Sequence, residues 1–174
     1  MNKVILSLGS NLGDRLGNLS KAIDLIGQRI GNILKKSSIY ETEPWGFNTP
    51  NLFLNQVIII RTSQSPTNIL REIKIIEKDI GRKKRTTEYT SRVVDIDILL
   101  FNDLVLEATD LIIPHPHLHK RNFVLVPLNE ISPELIHPIY KIAISQLILN
   151  CLDKSYLSIY QKSKTIKFIK NHEV

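Results

Sequence analysis

The chain has 174 residues, 43% of them hydrophobic and 23% charged, and its formal net charge is plus six. These values are ordinary for one globular domain with a sizeable core, and we expect a single domain over residues 1–174. No stretch approaches 18 consecutive apolar residues, which excludes a predicted transmembrane helix. The basic balance favours an anionic partner, for which nucleotides and nucleic acids both qualify.

Two features bear on the compartment in which the chain works. The apolar run at the N-terminus breaks at Gly9, which is too short for the apolar region of a signal peptide. The single cysteine, Cys151, cannot form an internal disulfide and suits a reducing compartment, where it would fill the core. We therefore expect a cytoplasmic protein with no membrane partner.

The first predicted elements are a strand over Lys3 to Leu8 and a helix. Residues 9–11 have the small and polar character of a turn and a helix N-cap. Apolar residues then recur at steps of three and four through Ile30, which predicts one buried helical face. These residues are Leu12, Leu16, Leu19, Ile23, Ile26 and Ile30.

Two strands and a second helix follow. The strands are predicted over Ile33 to Glu41 and Phe53 to Thr62, with a loop between them that has the character of an active-site loop. Ser65 and Pro66 then form an N-cap and first turn, and Gly81 ends the helix. Leu70, Lys74 and Glu77 lie on one stripe of this helix, from which Lys74 and Glu77 can face the basic segment that follows. The alternative is that Lys74 and Glu77 form a surface ion pair.

The fourth strand, residues 92–101, is the most informative segment. Its alternation puts Asp95 and Asp97 on one face, about 7 Å apart, and Ile96, Ile98 and Leu100 on the other. Two carboxylates beside a hydrophobic layer are unfavourable unless a cation lies between them, and Mg²⁺ with substrate phosphates suits such a pair. The alternative is an edge strand whose aspartates face solvent.

These elements follow the order β-α-β-β-α-β. This order predicts an α+β fold, the ferredoxin-like sandwich, with an antiparallel sheet and both helices on one face. The opposite face would then be open for a ligand, and Asp95 and Asp97 would point towards it. A C-terminal hairpin and a helix over about Ile142 to Leu152 would follow, and residues 154–174 form an extension without an assigned role.

The segment directly before the acidic strand is strongly basic. Cations beside metal-binding carboxylates are typical of a polyphosphate site, in which they neutralise charge on the transferred group. A solvated basic loop or a nucleic-acid patch is the alternative. The segment has a net charge of plus four, from Arg82, Lys83, Lys84, Arg85 and Arg92 against Glu88.

Three histidines alternate at positions 115, 117 and 119. We do not predict a zinc site, because prolines interrupt the alternation, no cysteine is close in sequence and four ligands are not available locally. We instead expect a histidine and an arginine of this segment to contact phosphate. No P-loop or dinucleotide-binding glycine motif is present either.

Five separated blocks of the chain resemble the 6-hydroxymethyl-7,8-dihydropterin pyrophosphokinases of folate biosynthesis. The resemblance implies transfer of the terminal pyrophosphoryl group of ATP to the pterin hydroxymethyl group, with release of AMP, and it implies a ferredoxin-like fold. The blocks are LGSNLGD at 8–14, YETEP at 40–44, FLN at 53–55, RVVDID at 92–97, and PH at 114–115 with RNFVL at 121–125.

The same resemblance implies roles for individual residues. Asp95 and Asp97 resemble ligands of two magnesium ions that bridge the ATP phosphates and the attacking hydroxyl, and Arg82 and Arg92 resemble arginines that stabilise the transferred group. The residues that would bind ATP as co-substrate are Leu70, Lys74, Glu77, Lys84, Tyr89, Ile98, His115 and Arg121. The residues that would bind the pterin are Thr42, Pro44, Trp45, Phe53, Asn55 and Phe123, with the two phenylalanines on either side of the flat ring.

The chain also departs from the family pattern. Where the family usually has W-x-P-R before the acidic strand, this chain has Tyr89-Thr90-Ser91-Arg92 and so lacks the tryptophan and the proline. Lys84 stands where an arginine is common, which replaces a two-pronged phosphate contact with a point charge. Lys74 replaces an uncharged polar residue and Pro116 an aromatic one.

Two other classes of function remain open from the residues. An RNA-binding module would stack bases on aromatic residues of the central strands, a pattern that is absent here, and the aspartates would repel phosphates. Another magnesium-dependent kinase or nucleotidyl transferase could use the same parts. We expect a monomer that acts on small molecules and has no nucleic-acid partner.

Overall fold

The computed structural model describes residues 1–81 and 91–163, which form eight strands and four α-helices. The strands are β1 Asn2–Ser10, β2 Asn32–Lys36, β3 Ile39–Thr42, β4 Phe53–Thr62, β5 Asp95–Phe101, β6 Leu106–Ala108, β7 Leu111–Ile113 and β8 Leu157–Gln161. The helices are α1 Arg15–Arg29, α2 Pro66–Ile80, α3 Asn122–Ile131 and α4 Ile144–Leu147.

The main sheet has the strand order β5-β1-β4-β3-β8, with β2 also paired to β4, and every pairing is antiparallel. This topology confirms the predicted α+β, ferredoxin-like fold. The predicted second strand is divided into β2 and β3 at Ser37 and Ser38. The Ser37 hydroxyl there accepts a hydrogen bond from the Val57 N–H, at 3.0 Å, so a side chain replaces one backbone contact of the ladder.

The ends of the two long helices follow from their capping residues. In α2, Ser65 accepts a hydrogen bond from the N–H of Asn68, and Gly81 ends the helix with a φ of 121°, as predicted. In α1 the prediction was wrong in detail. Strand β1 continues through Ser10, and Asp14 caps the helix by accepting from Gly17 at 2.9 Å.

Two hydrophobic cores lie on opposite faces of the sheet. The first core packs β1, β4 and β5 against α1 and α2, and it includes Ile96 and Ile98. The second core packs the other face against α3 and α4, and it includes both Leu99 and Leu100. The register shifts between β1 and β5, from Leu6 opposite Ile98 to Ile5 opposite Leu100, so the prediction that Leu100 faces the two long helices is wrong.

The second core also corrects the prediction that the face opposite α1 and α2 is open. Helix α3 packs over the part of this face formed by Ile5, Ile59 and Leu100. The remaining part, at the C-terminal end of β1 and the N-terminal ends of β4 and β5, carries polar side chains. A ligand on this face is therefore restricted to that end.

The C-terminal part differs from the prediction in two places. The α-helical segment is only Ile144–Leu147, and a 3-10 turn continues it through Asn150. Residues Leu157–Gln161 form β8, an edge strand paired with β3, within the segment to which the sequence assigned no role. Cys151 is buried as predicted, and the hairpin consists of β6 and β7.

Candidate active site

The polar end of the sheet is built from two adjacent rows of paired residues. In one row Gly9 lies between Asn55 on β4 and Asp95 on β5, and in the next row Ser7 has Asp97 as its partner on β5. A Cβ atom on Gly9 would lie 3.0 Å from Asn55 Oδ1, so glycine leaves space above the sheet at this point. This part of the sheet forms the floor of the candidate site. The register thus brings the predicted metal ligands and a predicted pterin residue to one face.

The two aspartates have different cationic neighbours. Arg92 pairs with Asp95 through Nη1 and Oδ2. The Oδ2 atom of Asp97 lies 3.9 Å from both His115 Nε2 and Arg121 Nη1. The side chains of Asp95 and Asp97 are 19% and 30% exposed, respectively. Both carboxylates are therefore partly desolvated but remain accessible to a ligand.

His115 is neutral at physiological pH. Burial and the nearby Arg121 guanidinium lower the pKa of His115 to about 3. Its Nδ1 accepts a hydrogen bond from the N–H of His117 at 3.1 Å, which assigns the proton of the neutral ring to Nε2. The ring therefore presents an N–H donor on the side of Asp97.

The residues predicted to bind the pterin lie on three segments around this floor. Asn55 is 3% exposed and donates through Nδ2 to Thr42 Oγ1 at 2.7 Å. The ring of Phe53 meets the ring of Phe47 edge-on at 6.1 Å. Pro44, half-buried, belongs to the same loop as Phe47.

Arg121 lies between two aromatic rings of the site. Its Cζ atom is 4.6 Å from the centre of the Trp45 ring and 5.6 Å from that of Phe123. Trp45 also contacts the ring of His117, at 5.7 Å. The loop between β3 and β4 thus packs on the segment that precedes α3, and Arg121, 6% exposed, connects it to Asp97.

The residues of α2 lie on the other side of β5 from the carboxylates. Glu77 is 2% exposed, which excludes the alternative of a surface ion pair, and its Oε1 accepts from the Ile96 N–H at 2.9 Å. Leu70 and Ile98 pack in the first core, whereas Lys74 is exposed. Because β5 is an edge strand, these residues and the carboxylates can line a common site only around that edge.

Three predicted site residues, Arg82, Lys84 and Tyr89, lie outside the described residues. Conversely, the structure places two residues at the site that the sequence did not assign to it. These are Gly9, described above, and Asn11, whose Oδ1 accepts from the backbone N–H of Arg92 at 2.6 Å. A glycine inside a strand is a signal of close approach, but nothing in the sequence indicates which residue approaches it.

The donor set fits Mg²⁺. This ion takes one or two protein carboxylates and completes its octahedron with water and phosphate oxygens. Asp95 and Asp97 supply two carboxylates on one face, next to three nitrogen-bearing side chains suited to phosphate. Within residues 1–81 and 91–163, no three His, Cys, Asp or Glu side chains are grouped to hold a metal, so a substrate would have to supply further ligands.

Comparison with known proteins identifies the family. The sequence profile of the 7,8-dihydro-6-hydroxymethylpterin-pyrophosphokinase family, HPPK, matches residues 5–133. The chain belongs to this family. It is therefore similar to enzymes that are named pyrophosphokinases, and the resemblance noted in the sequence is confirmed.

Individual HPPK relatives agree over most of the chain. The 2-amino-4-hydroxy-6-hydroxymethyldihydropteridine pyrophosphokinase of Aquifex aeolicus is 45% identical over 141 residues, which are 81% of this chain and 87% of the relative. The enzyme of the same name from Bacillus subtilis is 42% identical over 135 residues, 77% of this chain and 80% of the relative.

Solved HPPK structures share the fold. An HPPK-DHPS crystallised in complex with substrates superposes with a TM-score of 0.72 at 18% identity, over 86% of this chain and 43% of that chain. The Plasmodium falciparum HPPK-DHPS with pteroate gives 0.70 at 20% identity, over 86% and 42%. This chain thus spans less than half the length of those proteins.

In the described part of this chain, no helix has the length and apolar character needed to cross a membrane.

Proposed function

We propose that this chain transfers the terminal diphosphate of ATP to the hydroxymethyl group of 6-hydroxymethyl-7,8-dihydropterin, in folate biosynthesis. The hydroxymethyl oxygen attacks the β-phosphorus of ATP and loses its proton to solvent, the bond from that phosphorus to the oxygen shared with the α-phosphate breaks, and AMP leaves with that oxygen. The observation that carries the proposal is the convergence of Asp95 and Asp97 with Asn55 on one end of the sheet, in a chain of the HPPK family.

The residues divide into three groups in this proposal. Asn55 and Thr42, already hydrogen-bonded to each other, present polar atoms to the edge of the pterin. Phe53 and Phe123 hold its faces, Pro44 and Trp45 complete the rim, and Gly9 leaves room beneath it. Arg121 and His115 lie next to Asp97 and bind phosphate oxygens.

Asp95 and Asp97 would hold two Mg²⁺ ions that clamp the triphosphate and lower the charge on the transferred group. Arg92 lies beside Asp95 and stabilises charge that grows on the same group. His115, with a pKa of about 3, is a poor proton acceptor and serves as a donor. Arg82, Lys84 and Tyr89 keep their predicted phosphate and nucleotide contacts, as do Leu70, Lys74, Glu77 and Ile98.

Closure of the loop between β3 and β4 over the site would exclude water, which otherwise would hydrolyse ATP. The contact of Trp45 with Arg121 supports this role, because it already joins the loop to the phosphate side of the site. We further propose that the enzyme is a cytoplasmic monomer with one pyrophosphokinase domain.

The decisive experiment incubates the protein with ATP, Mg²⁺ and 6-hydroxymethyl-7,8-dihydropterin and identifies the nucleotide product. AMP, formed in equal amount with the pterin diphosphate, is the expected result. ADP would instead show ordinary phosphorylation and would overturn the proposal in favour of another magnesium-dependent kinase. Omission of the pterin is the control, since AMP formed without an acceptor would indicate hydrolysis.

A further inference from the structure

The segment that delivers Arg92 to the site is held by Asn11. This side chain is 3% exposed at the end of β1. Its backbone N–H donates to the Arg92 carbonyl at 3.1 Å, and its Oδ1 accepts from the Arg92 N–H at 2.6 Å. Both backbone polar groups of Arg92 are therefore satisfied by one residue, which fixes the point from which the guanidinium reaches Asp95.

The hydroxyl of Ser91 extends this attachment to a second segment. Its oxygen accepts from Asn11 Nδ2 at 3.0 Å and lies 3.3 Å from the hydroxyl oxygen of Thr49, so that one of the two hydroxyls donates to the other. Thr49 Oγ1 also accepts from the backbone N–H of Asn51, at 3.4 Å. A continuous set of hydrogen bonds thus runs from β1 through Ser91 into the loop between β3 and β4.

The two segments joined in this way carry different parts of the site. The loop between β3 and β4 carries Trp45, which covers Arg121, whereas the segment after Ser91 carries Arg92, which pairs with Asp95. A proline at position 91, which the family pattern usually has, could not make the contact with Thr49 because it has no hydroxyl. In this chain, the hydrogen bond of Ser91 therefore takes the place of the rigid proline ring in the family pattern.

We propose that Ser91 is a positioning residue whose hydroxyl holds the loop between β3 and β4 against the segment that bears Arg92. The inference rests on the proposed function. In it, Ser91 keeps the loop that borders the pterin in its position at the site. Asn11 keeps Arg92 in place when the hydroxyl is removed, which spares the phosphate side. The end of the loop also stays attached, because Asn11 Nδ2 donates to the Asn51 carbonyl at 3.5 Å and Arg15 Nη1 to the Leu52 carbonyl at 2.8 Å. Loss of the Ser91 hydroxyl therefore loosens the part of the loop before Asn51, which contains Thr49 and Trp45.

The corresponding variant is Ser91→Ala. Because one neutral hydrogen bond changes an equilibrium by a factor of about three to ten, the KM for the pterin should rise by about that factor while kcat stays within about twofold. Ser91→Thr retains a hydroxyl and should restore the KM. Ser20→Ala, the same chemical change at an exposed position of α1, is the matched control and should leave both parameters unchanged.

A second measurement does not depend on turnover. Trp45 is the only tryptophan of the chain and lies in the loop in question, so its fluorescence anisotropy reports the freedom of that loop. Ser91→Ala and Thr49→Ala should each lower the anisotropy of the free protein. The double variant should lower it by less than the sum of the two single changes, since both remove the contact between Ser91 and Thr49 and each removes only one other hydrogen bond, to Asn11 or to Asn51.

The outcomes separate this inference from the proposed function. Wild-type protein that forms no AMP would overturn the proposed function, and the Trp45 anisotropy would still test the contact. The inference would be overturned if Ser91→Ala had a pterin KM within twofold of wild type and a Trp45 anisotropy equal to that of wild type within experimental error. It would also be overturned if Ser91→Thr raised the pterin KM as much as Ser91→Ala does, or if the anisotropy losses of the two single variants were additive in the double variant.

Discussion

The carboxylates of Asp95 and Asp97 have different partners, yet each is expected to be essential. Asp95 is paired with Arg92, whereas Asp97 lies 3.9 Å from a neutral imidazole and a guanidinium. Both side chains face the same end of the sheet, so in the proposed function each would offer an oxygen to the Mg²⁺ that binds the ATP phosphates. Neither cationic neighbour can take over this role.

We predict that Asp95→Asn and Asp97→Asn each lower kcat at least about 100-fold, because charge stabilisation of this kind is worth about 3 kcal/mol or more. Asparagine keeps the shape of the side chain and removes its charge. AMP formation at saturating Mg²⁺ and ATP measures the effect. Asp103→Asn, at an exposed turn after β5, is the control, and near-normal rates in both site variants would remove the metal from the mechanism.

Arg92 permits a separation of binding from chemistry. Because Asn11 holds its backbone, truncation of the side chain in Arg92→Ala should leave the segment in place. We predict that the rate constant of the chemical step, measured by rapid quench, falls far more than the affinity for the pterin, measured by calorimetry. An equal loss in both would mark Arg92 as a residue that only positions substrate.

The placement of the two proposed metal ligands could be predicted from the sequence because it depends on local structure alone. Alternation along a single strand is enough to put Asp95 and Asp97 on one face. Gly9 and Asn11 could not be assigned in this way, since the groups they contact, Asn55 and Arg92, come from other segments of the chain. Their roles depend on strand register, which the sequence pattern does not specify.

At the level of elements, Glu77 connects the helix α2 to the strand that carries the aspartates. Its Oε1 accepts from the Ile96 N–H, which lies between the two site residues on β5. The Glu77 residue is 2% exposed, so bulk solvent does not compete with its carboxylate for this N–H in the folded protein. The position of β5, the strand that carries both aspartates, relative to α2 therefore depends on this buried side chain.

We predict that Glu77→Ala lowers the free energy of unfolding by about 1–3 kcal/mol, since it leaves a buried N–H without its acceptor. Glu77→Gln retains an acceptor oxygen and should lose less. Urea unfolding measures both. Glu72→Ala, on the same helix but less buried, is the control, and a loss as large as that of Glu77→Ala would assign the effect to the helix instead.

Elements were predictable where local chemistry determines their ends. Ser65, Pro66 and Gly81 specify both ends of α2, and the structure has them there. The extra residue at Leu99 was not predictable, because an uninterrupted apolar run reads the same with or without a bulge. Strand β8 was missed for a similar reason: its burial is slight, and it is held mainly by pairing with β3.

At the level of the whole molecule, helices on both faces of the sheet determine where the site can be. Helices α1 and α2 cover one face, and α3 covers the part of the other face that is farthest from Gly9. Helical periodicity in the sequence predicted the first layer of helices, but no helix was predicted over residues 122–131. The packing of α3 is what confines the polar end of the sheet to a short, accessible region.

The segment between α3 and α4 contributes a pH dependence to the stability of the whole fold, through His137. This residue is 2% exposed, and its Nδ1 accepts from the N–H groups of Ile139 and Tyr140. Protonation at Nδ1 would break both hydrogen bonds. Burial, together with the nearby His119, lowers the pKa of His137 to about 4, and the ring of Tyr140 packs against it at 4.7 Å.

The sign of the effect follows from linkage. An unfolded histidine has a pKa of about 6.5, so between about pH 4 and 6.5 the unfolded chain binds more protons than the folded one, and stability falls as the pH falls. We predict that His137→Asn, which keeps an acceptor oxygen for the two N–H groups, loses less free energy of unfolding between pH 7 and pH 4.5 than wild type does. Urea unfolding at both pH values measures this difference. Because His115 titrates in both proteins, the comparison isolates His137, and an equal loss in the two would show that His137 does not contribute.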